Sequence, residues 1–99
     1  MKIAIASEGE SVDSAVSSLG GRAPYYLIFD NNELAETIKN PFAVGGGGAG
    51  WSVAHLLAEK GVEKVIAGKI GPNMAQALEN KNLKFEEAPD KTVAEAIAG

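Results

Sequence analysis

The chain has 99 residues, 45% hydrophobic and 22% charged, with a net charge of −4 and no cysteine. That composition suits one globular domain with its own core. It excludes disulfides, cysteine-based zinc sites and cysteine-ligated iron–sulfur clusters within the chain. Nine Lys and Arg residues lie scattered, without the basic face that nucleic-acid binding requires. Glu8 and Glu10 interrupt any signal-peptide core, and no apolar run approaches the roughly 20 residues of a membrane span, so a soluble cytoplasmic protein is expected.

Met1 to Ala6, MKIAIA, reads as a strand buried on both faces, with Ile3 and Ile5 on one side and Ala4 and Ala6 on the other. Residues 7–23 carry Ser, Gly and Asp without periodicity, and so form a long irregular connection of the kind that often carries function. Tyr25-Tyr26-Leu27-Ile28-Phe29 is the densest β-former and is closed by the turn residues Asp30-Asn31-Asn32. Residues 33–39 alternate and have fair helix propensity too, but after a short turn they read better as the second arm of a hairpin, stopped by Asn40-Pro41.

From Gly50 to Lys60 the apolar set Val53, Ala54, Leu57 and Ala58 recurs at helical spacing, with Gly61 as the stop. Val62 to Ala67 is a short strand. Gly68 to Asn73 is a loop with Pro72 placed near the first turn of a helix that runs from about Asn73 to Asn80. Leu83 to Glu87 is a last strand, and Thr92-Val93-Ala94-Glu95 has the spacing of a capping box that opens a terminal helix. The order β-β-β-α-β-α-β-α predicts a single α/β domain over residues 1–99, with five strands in one mixed sheet, helices covering it and right-handed crossovers.

The run Gly45 to Gly50 raises the question of a ligand. Gly45-x-Gly47-x-x-Gly50 satisfies a dinucleotide fingerprint, but no buried strand precedes it and no acid stands near residue 70. Gly45 to Ser52 also approaches a Walker A loop, with Trp51 where the phosphate-binding lysine belongs. A nucleotide cofactor is therefore not expected. Two readings remain open. Either unblocked N–H groups before a helix form a cup for an anion, or the glycines let chain segments pack closely. Loops that leave the carboxyl ends of parallel strands share one edge, so Ser7, the glycine run and Lys69 are expected to converge there. Arg22, at the end of the long connection, reads first as a solvated arginine, but its fork beside glycines also suits an oxyanion or carboxylate.

His55, the sole histidine, lies beside Ser52 and Glu59 on a helix, away from the apolar stripe, and reads as solvated. Trp51 reads as a packing or interface residue. Glu10 and Asp13 stand near no nucleophile, so the sequence holds no catalytic constellation.

Several segments, in order and spacing, resemble the dinitrogenase iron–molybdenum cofactor biosynthesis family, small domains found alone or fused in nitrogenase cofactor carriers and assembly proteins. They are MKIAIAS with the Asp13 loop; Gly21-Arg22-Ala23-Pro24-Tyr25-Tyr26 leading into Leu27-Ile28-Phe29-Asp30; Asn40-Pro41; and Gly48-Ala49-Gly50 with Leu56-Leu57. They continue through Gly61-Val62, Val65-Ile66-Ala67-Gly68, Gly71-Pro72-Asn73-Met74-Ala75 and Thr92-Val93-Ala94-Glu95-Ala96-Ile97.

The resemblance implies a ribonuclease H-like topology, a five-stranded mixed sheet whose second strand is antiparallel, and settles 33–39 as a strand. It further implies a non-enzymatic carrier or accessory protein. The cargo would be an anionic iron–molybdenum or iron–sulfur cluster and the partners cofactor-assembly proteins, with no nucleic acid or membrane involved. Members that handle the cofactor commonly carry His-Phe-Gly-Arg where this chain has Leu19-Gly20-Gly21-Arg22. The ligating histidine is thus Leu19 here, and His55 does not inherit its role. The expected site is electrostatic, formed by Ser7, Arg22, Gly45, Gly46, Gly47, Gly48 and Lys69, with no residue assigned as a metal ligand. The alternative is an interaction or regulatory module of the same fold that has lost cluster binding.

Overall fold

The structure, a computed structural model, describes residues 1–44 and 48–99. Its elements in chain order are β1 (Lys2–Ser7), β2 (Tyr25–Asp30), β3 (Glu33–Lys39), α1 (Ala49–Glu59), β4 (Lys64–Ala67), α2 (Pro72–Asn80), β5 (Lys84–Glu87) and α3 (Val93–Ala98). The strands form one sheet in the order β3-β2-β1-β4-β5. β2 is antiparallel to both its neighbours, whereas β1, β4 and β5 run parallel. The expected mixed five-stranded sheet with flanking helices is what forms.

β1 sits at the centre and is buried on both sides. Ala4 and Ala6 share a core with Tyr26, Ile28, Val65 and Ala67 beneath Val53, Ala54 and Leu57 of α1 and Met74, Ala77 and Leu78 of α2. Ile5 faces the opposite core with Leu27, Phe29 and Ile66, covered by Val93 and Ala96 of α3 and by Val16 of the long connection. The alanines on the two-helix side leave room for the Tyr26 ring. Each fully buried Leu, Ile or Val contributes about 1.5–3 kcal/mol relative to exposure.

The β2–β3 hairpin closes through Asn31 and Asn32, with φ of 52° and 68°. A type I′ hairpin turn has positive φ at both positions, and asparagine tolerates it better than most residues. The β2–β3 register shifts between Ile28, opposite Glu36, and Phe29, opposite Leu34, so that Ala35 is an extra residue on β3. This bulge, together with charged Glu33, Glu36 and Lys39, keeps the exposed edge strand from recruiting another strand.

Two strands begin later than the sequence pattern suggests, for one physical reason. The N–H of Val62 bonds the carbonyl of Leu57 and that of Gly61 bonds Ala58; likewise Leu83 bonds Leu78 and Asn82 bonds Glu79. Gly61 and Asn82 have positive φ, so both helices end in Schellman motifs. Val62 and Leu83 are therefore the buried apolar residues that close helices, and β4 and β5 start at Lys64 and Lys84.

The long connection is tied down at many points. Ser17 donates its N–H to Ala6 and accepts from Gly68, which splices it between the ends of β1 and β4, while Val16 bonds Lys91 and Val93 bonds Ser14. The carboxyl ends of β1, β4 and β5, the start of β2 and the start of all three helices consequently share one edge of the sheet.

A cleft between two helix starts

At that edge a cleft of about 360 Å³ opens between the 19–22 loop, Lys69, residues 49–50 at the start of α1 and residues 71–74 at the start of α2. Of the expected site residues it brings together Arg22 and Lys69, with Gly48 adjoining as the N-cap of α1. Gly45, Gly46 and Gly47 lie outside the described residues.

Ser7 reaches the same edge but takes a different part. It is fully buried; its hydroxyl donates to the Gly9 carbonyl at 2.6 Å and accepts the Gly9 N–H at 3.2 Å. Ser7 therefore fixes the turn out of β1 and has no surface to offer a ligand, contrary to expectation. Val16 pairs with it through an isolated antiparallel bridge.

The helix ends decide the electrostatics of the edge. Gly48 is the N-cap of α1 and Gly71 that of α2; neither helix has a side-chain cap or an acid in its first turn. Each helix start carries about half a positive charge through its unsatisfied N–H groups. The cleft between them is lined, among the described residues, by two cations and no acid. α3 is built oppositely. Its Thr92 hydroxyl accepts the Glu95 N–H at 3.2 Å while Glu95 accepts the Thr92 N–H at 2.9 Å. These bonds to Thr92 hold the Glu95 carboxyl below its ordinary value.

At Gly48 and Gly50, the glycines of the run within the described residues, the geometry shows what glycine is needed for. Gly48 has φ of 86°, the left-handed region that glycine enters without strain. Gly50 instead marks close approach: a β-carbon there would lie 2.9 Å from Met74 Cβ and 3.0 Å from Met74 Cα. Its backbone also meets Gly21, whose own β-carbon would fall 3.1 Å from the Gly50 nitrogen.

Two residues that hold the Arg22 loop were not singled out from the sequence. Buried Asn40 donates from Nδ2 to the carbonyls of Gly21, at 3.1 Å, and Ala23, at 2.8 Å, while its Oδ1 accepts the Phe42 N–H at 2.9 Å. Tyr26, fully buried, donates its phenolic hydrogen to the Gly20 carbonyl, and burial pushes its ionisation far upward. Gly20 in turn donates to the Lys69 carbonyl at 3.1 Å. The backbones that carry Arg22 and Lys69 are thus parts of one hydrogen-bonded unit. The signal was present in Asn40-Pro41, which reads locally only as a strand stop.

His55 is exposed, as expected. Its Nε2 lies 3.3 Å from Glu59 and its Nδ1 3.4 Å from Lys81 Nζ, away from the cleft. Trp51 is 42% exposed in the first turn of α1, and Leu19 on the cleft wall is 55% exposed. Among the described residues no group of three or more His, Asp or Glu side chains is placed to hold a metal ion, and no helix is long and apolar enough to cross a membrane.

The family model described as dinitrogenase iron–molybdenum cofactor matches residues 1–99. The chain belongs to this family. Among solved structures it is similar to the apo form of the orange protein from Desulfovibrio gigas, with 30% identity over 98% of this chain and 83% of that one and a TM-score of 0.91. It is also similar to a NifB-like protein from Thermotoga placed in the DUF35 family, with 35% identity, coverage of 98% and 84%, and a TM-score of 0.83. A dinitrogenase-like protein from Methanocaldococcus jannaschii shares the fold at 21% identity, coverage of 99% and 85%, and a TM-score of 0.68. No curated protein matches the chain. Family and neighbours indicate a cofactor-associated accessory role.

Proposed function

We propose that this family member is a non-enzymatic carrier or accessory protein that holds an anionic metallocluster, or a comparable anion, in the cleft between the starts of α1 and α2. One observation carries the reading: two uncapped helix starts without acids face a cleft that also takes Arg22 and Lys69. Convergent N–H groups and two cations favour an anion of several acceptor atoms. The Arg22 guanidinium supplies a planar fork and the Lys69 ammonium, exposed at the rim, a mobile point charge.

Leu19 stands where cofactor-handling members carry histidine, so the cargo is held by its outer anionic atoms and not through a metal–protein bond. Catalysis is no part of this reading. The same Leu19 favours a second reading, an interaction module of this fold that no longer carries a cluster. Anaerobic reconstitution with iron and sulfide, or with isolated cofactor, followed by gel filtration and visible spectroscopy separates the two. The carrier retains a chromophore that co-elutes with the protein; absence of any retained chromophore leaves the interaction module.

A further inference from the structure

A second and larger cleft, of about 800 Å³, lies across Leu19 and Lys69 from the first, on the α3 side of the sheet. The two clefts share those two residues as a common wall. Their linings differ in sign. The smaller has Arg22 and Lys69 and no acid, whereas the larger has Lys69 and Lys91 facing Glu87, Asp90 and Glu95.

Two of those acids are already engaged by the backbone: Glu87 accepts the Ile70 N–H at 2.8 Å and Glu95 accepts that of Thr92. With Asp90 they stand against a second anion. The capped start of α3 offers no free N–H cup there either. What the larger cleft does offer is apolar surface, from Ala15, Val16, Leu19 and Pro89. Leu19 is 55% exposed between the two spaces and adds apolar surface to both.

We propose that the ligand has two parts: an anionic head in the smaller cleft and an uncharged, largely apolar organic body that crosses Leu19 into the larger one. This rests on the anion reading of the smaller cleft and adds the chemical class of what is attached. The charge difference between the clefts fixes the orientation, because only the smaller accepts the head. The volume of the larger cleft lies within the range of small-molecule sites.

The test is titration of the full chain with inorganic phosphate, phenyl phosphate and naphthyl phosphate, read by calorimetry and by amide shifts. Burying an aryl body strengthens binding by about ten-fold or more over inorganic phosphate, and the added shifts fall on Ala15, Lys91 and Thr92. Ala15→Gln, a neutral change at an exposed position of the larger cleft alone, removes that gain and leaves inorganic phosphate binding as it was. Equal affinity for all three probes overturns the two-part ligand while leaving the anion cleft standing. An aryl gain that Ala15→Gln does not touch overturns it too. Failure of every probe to bind removes the anion cleft and the two-part ligand together.

Discussion

Gly50 of α1 and Met74 of α2 approach so closely that a β-carbon on the glycine would lie 2.9 Å from Met74 Cβ and 3.2 Å from its nitrogen. The contacted atoms belong to the backbone and the base of a side chain, which cannot swing aside. The last glycine of the run therefore sets the distance between the two helix starts that frame the cleft.

Gly50→Ala is expected to destabilise the protein. Alanine gains about 1 kcal/mol in helix propensity, but overpacking costs about 1–3 kcal/mol, and contact with backbone places this site at the upper end. Urea unfolding should show a net loss. Gly48→Ala loses about 1–2 kcal/mol for another reason, the left-handed φ, and leaves the α1–α2 contact intact.

Asn40→Ala removes the donors to Gly21 and Ala23 and leaves buried carbonyls unsatisfied. The expected cost is about 1–3 kcal/mol in thermal unfolding. At temperatures where the variant stays folded, anion affinity should also fall, because the loop that carries Arg22 is no longer fixed. Unchanged affinity would show that Asn40 is structural only.

Arg22→Ala and Lys69→Ala should each weaken anion binding by roughly ten-fold, the scale of one charge-assisted contact. Raising the salt concentration should weaken wild-type binding further. His55→Ala, remote from the cleft, should bind as wild type does. Calorimetric titration of the three variants checks this, and selective loss in the His55 variant would place the ligand on the outer face of α1.

Burial raises the ionisation of Tyr26 far above its ordinary value of 10.0. The folded state thus keeps a proton that the unfolded chain releases, so the Tyr26 contribution is fully present below pH 10 and is lost above it. The expected slope is about −1.4 kcal/mol per pH unit for this one group. Tyr26→Phe should flatten the alkaline limb of a stability–pH curve, at the cost of the hydrogen bond to Gly20.

The strands and helices were legible because their signals are local. Alternation in MKIAIA, the asparagines of the hairpin and the Thr92–Glu95 box each act within a few residues. Val62 and Leu83 misled for the same reason: both look like strand residues, and both close a helix through a bond to a carbonyl five residues back. Lys69 could be placed at the cleft edge from topology alone, since the carboxyl ends of parallel strands share an edge, whereas Arg22 stood out only by its guanidinium fork beside glycines. Ser7 shared that edge, but it is buried and bonded to Gly9, and its bridge to Val16 comes from an aperiodic segment that no periodicity encodes. Asn40 was opaque for a similar reason: its partners lie 17 and 19 residues away in an aperiodic loop.

The central claim, that an anion sits between the starts of α1 and α2, is most directly tested by amide shifts during anaerobic titration with isolated cofactor. The predicted result is a saturable set of changes centred on Gly48 to Trp51, on Gly71 and Asn73 to Ala75, and on Arg22 and Lys69, abolished in the Arg22→Ala/Lys69→Ala double variant. Changes centred instead on His55, Glu59 and Lys81, or saturable changes that persist in the double variant, would contradict it.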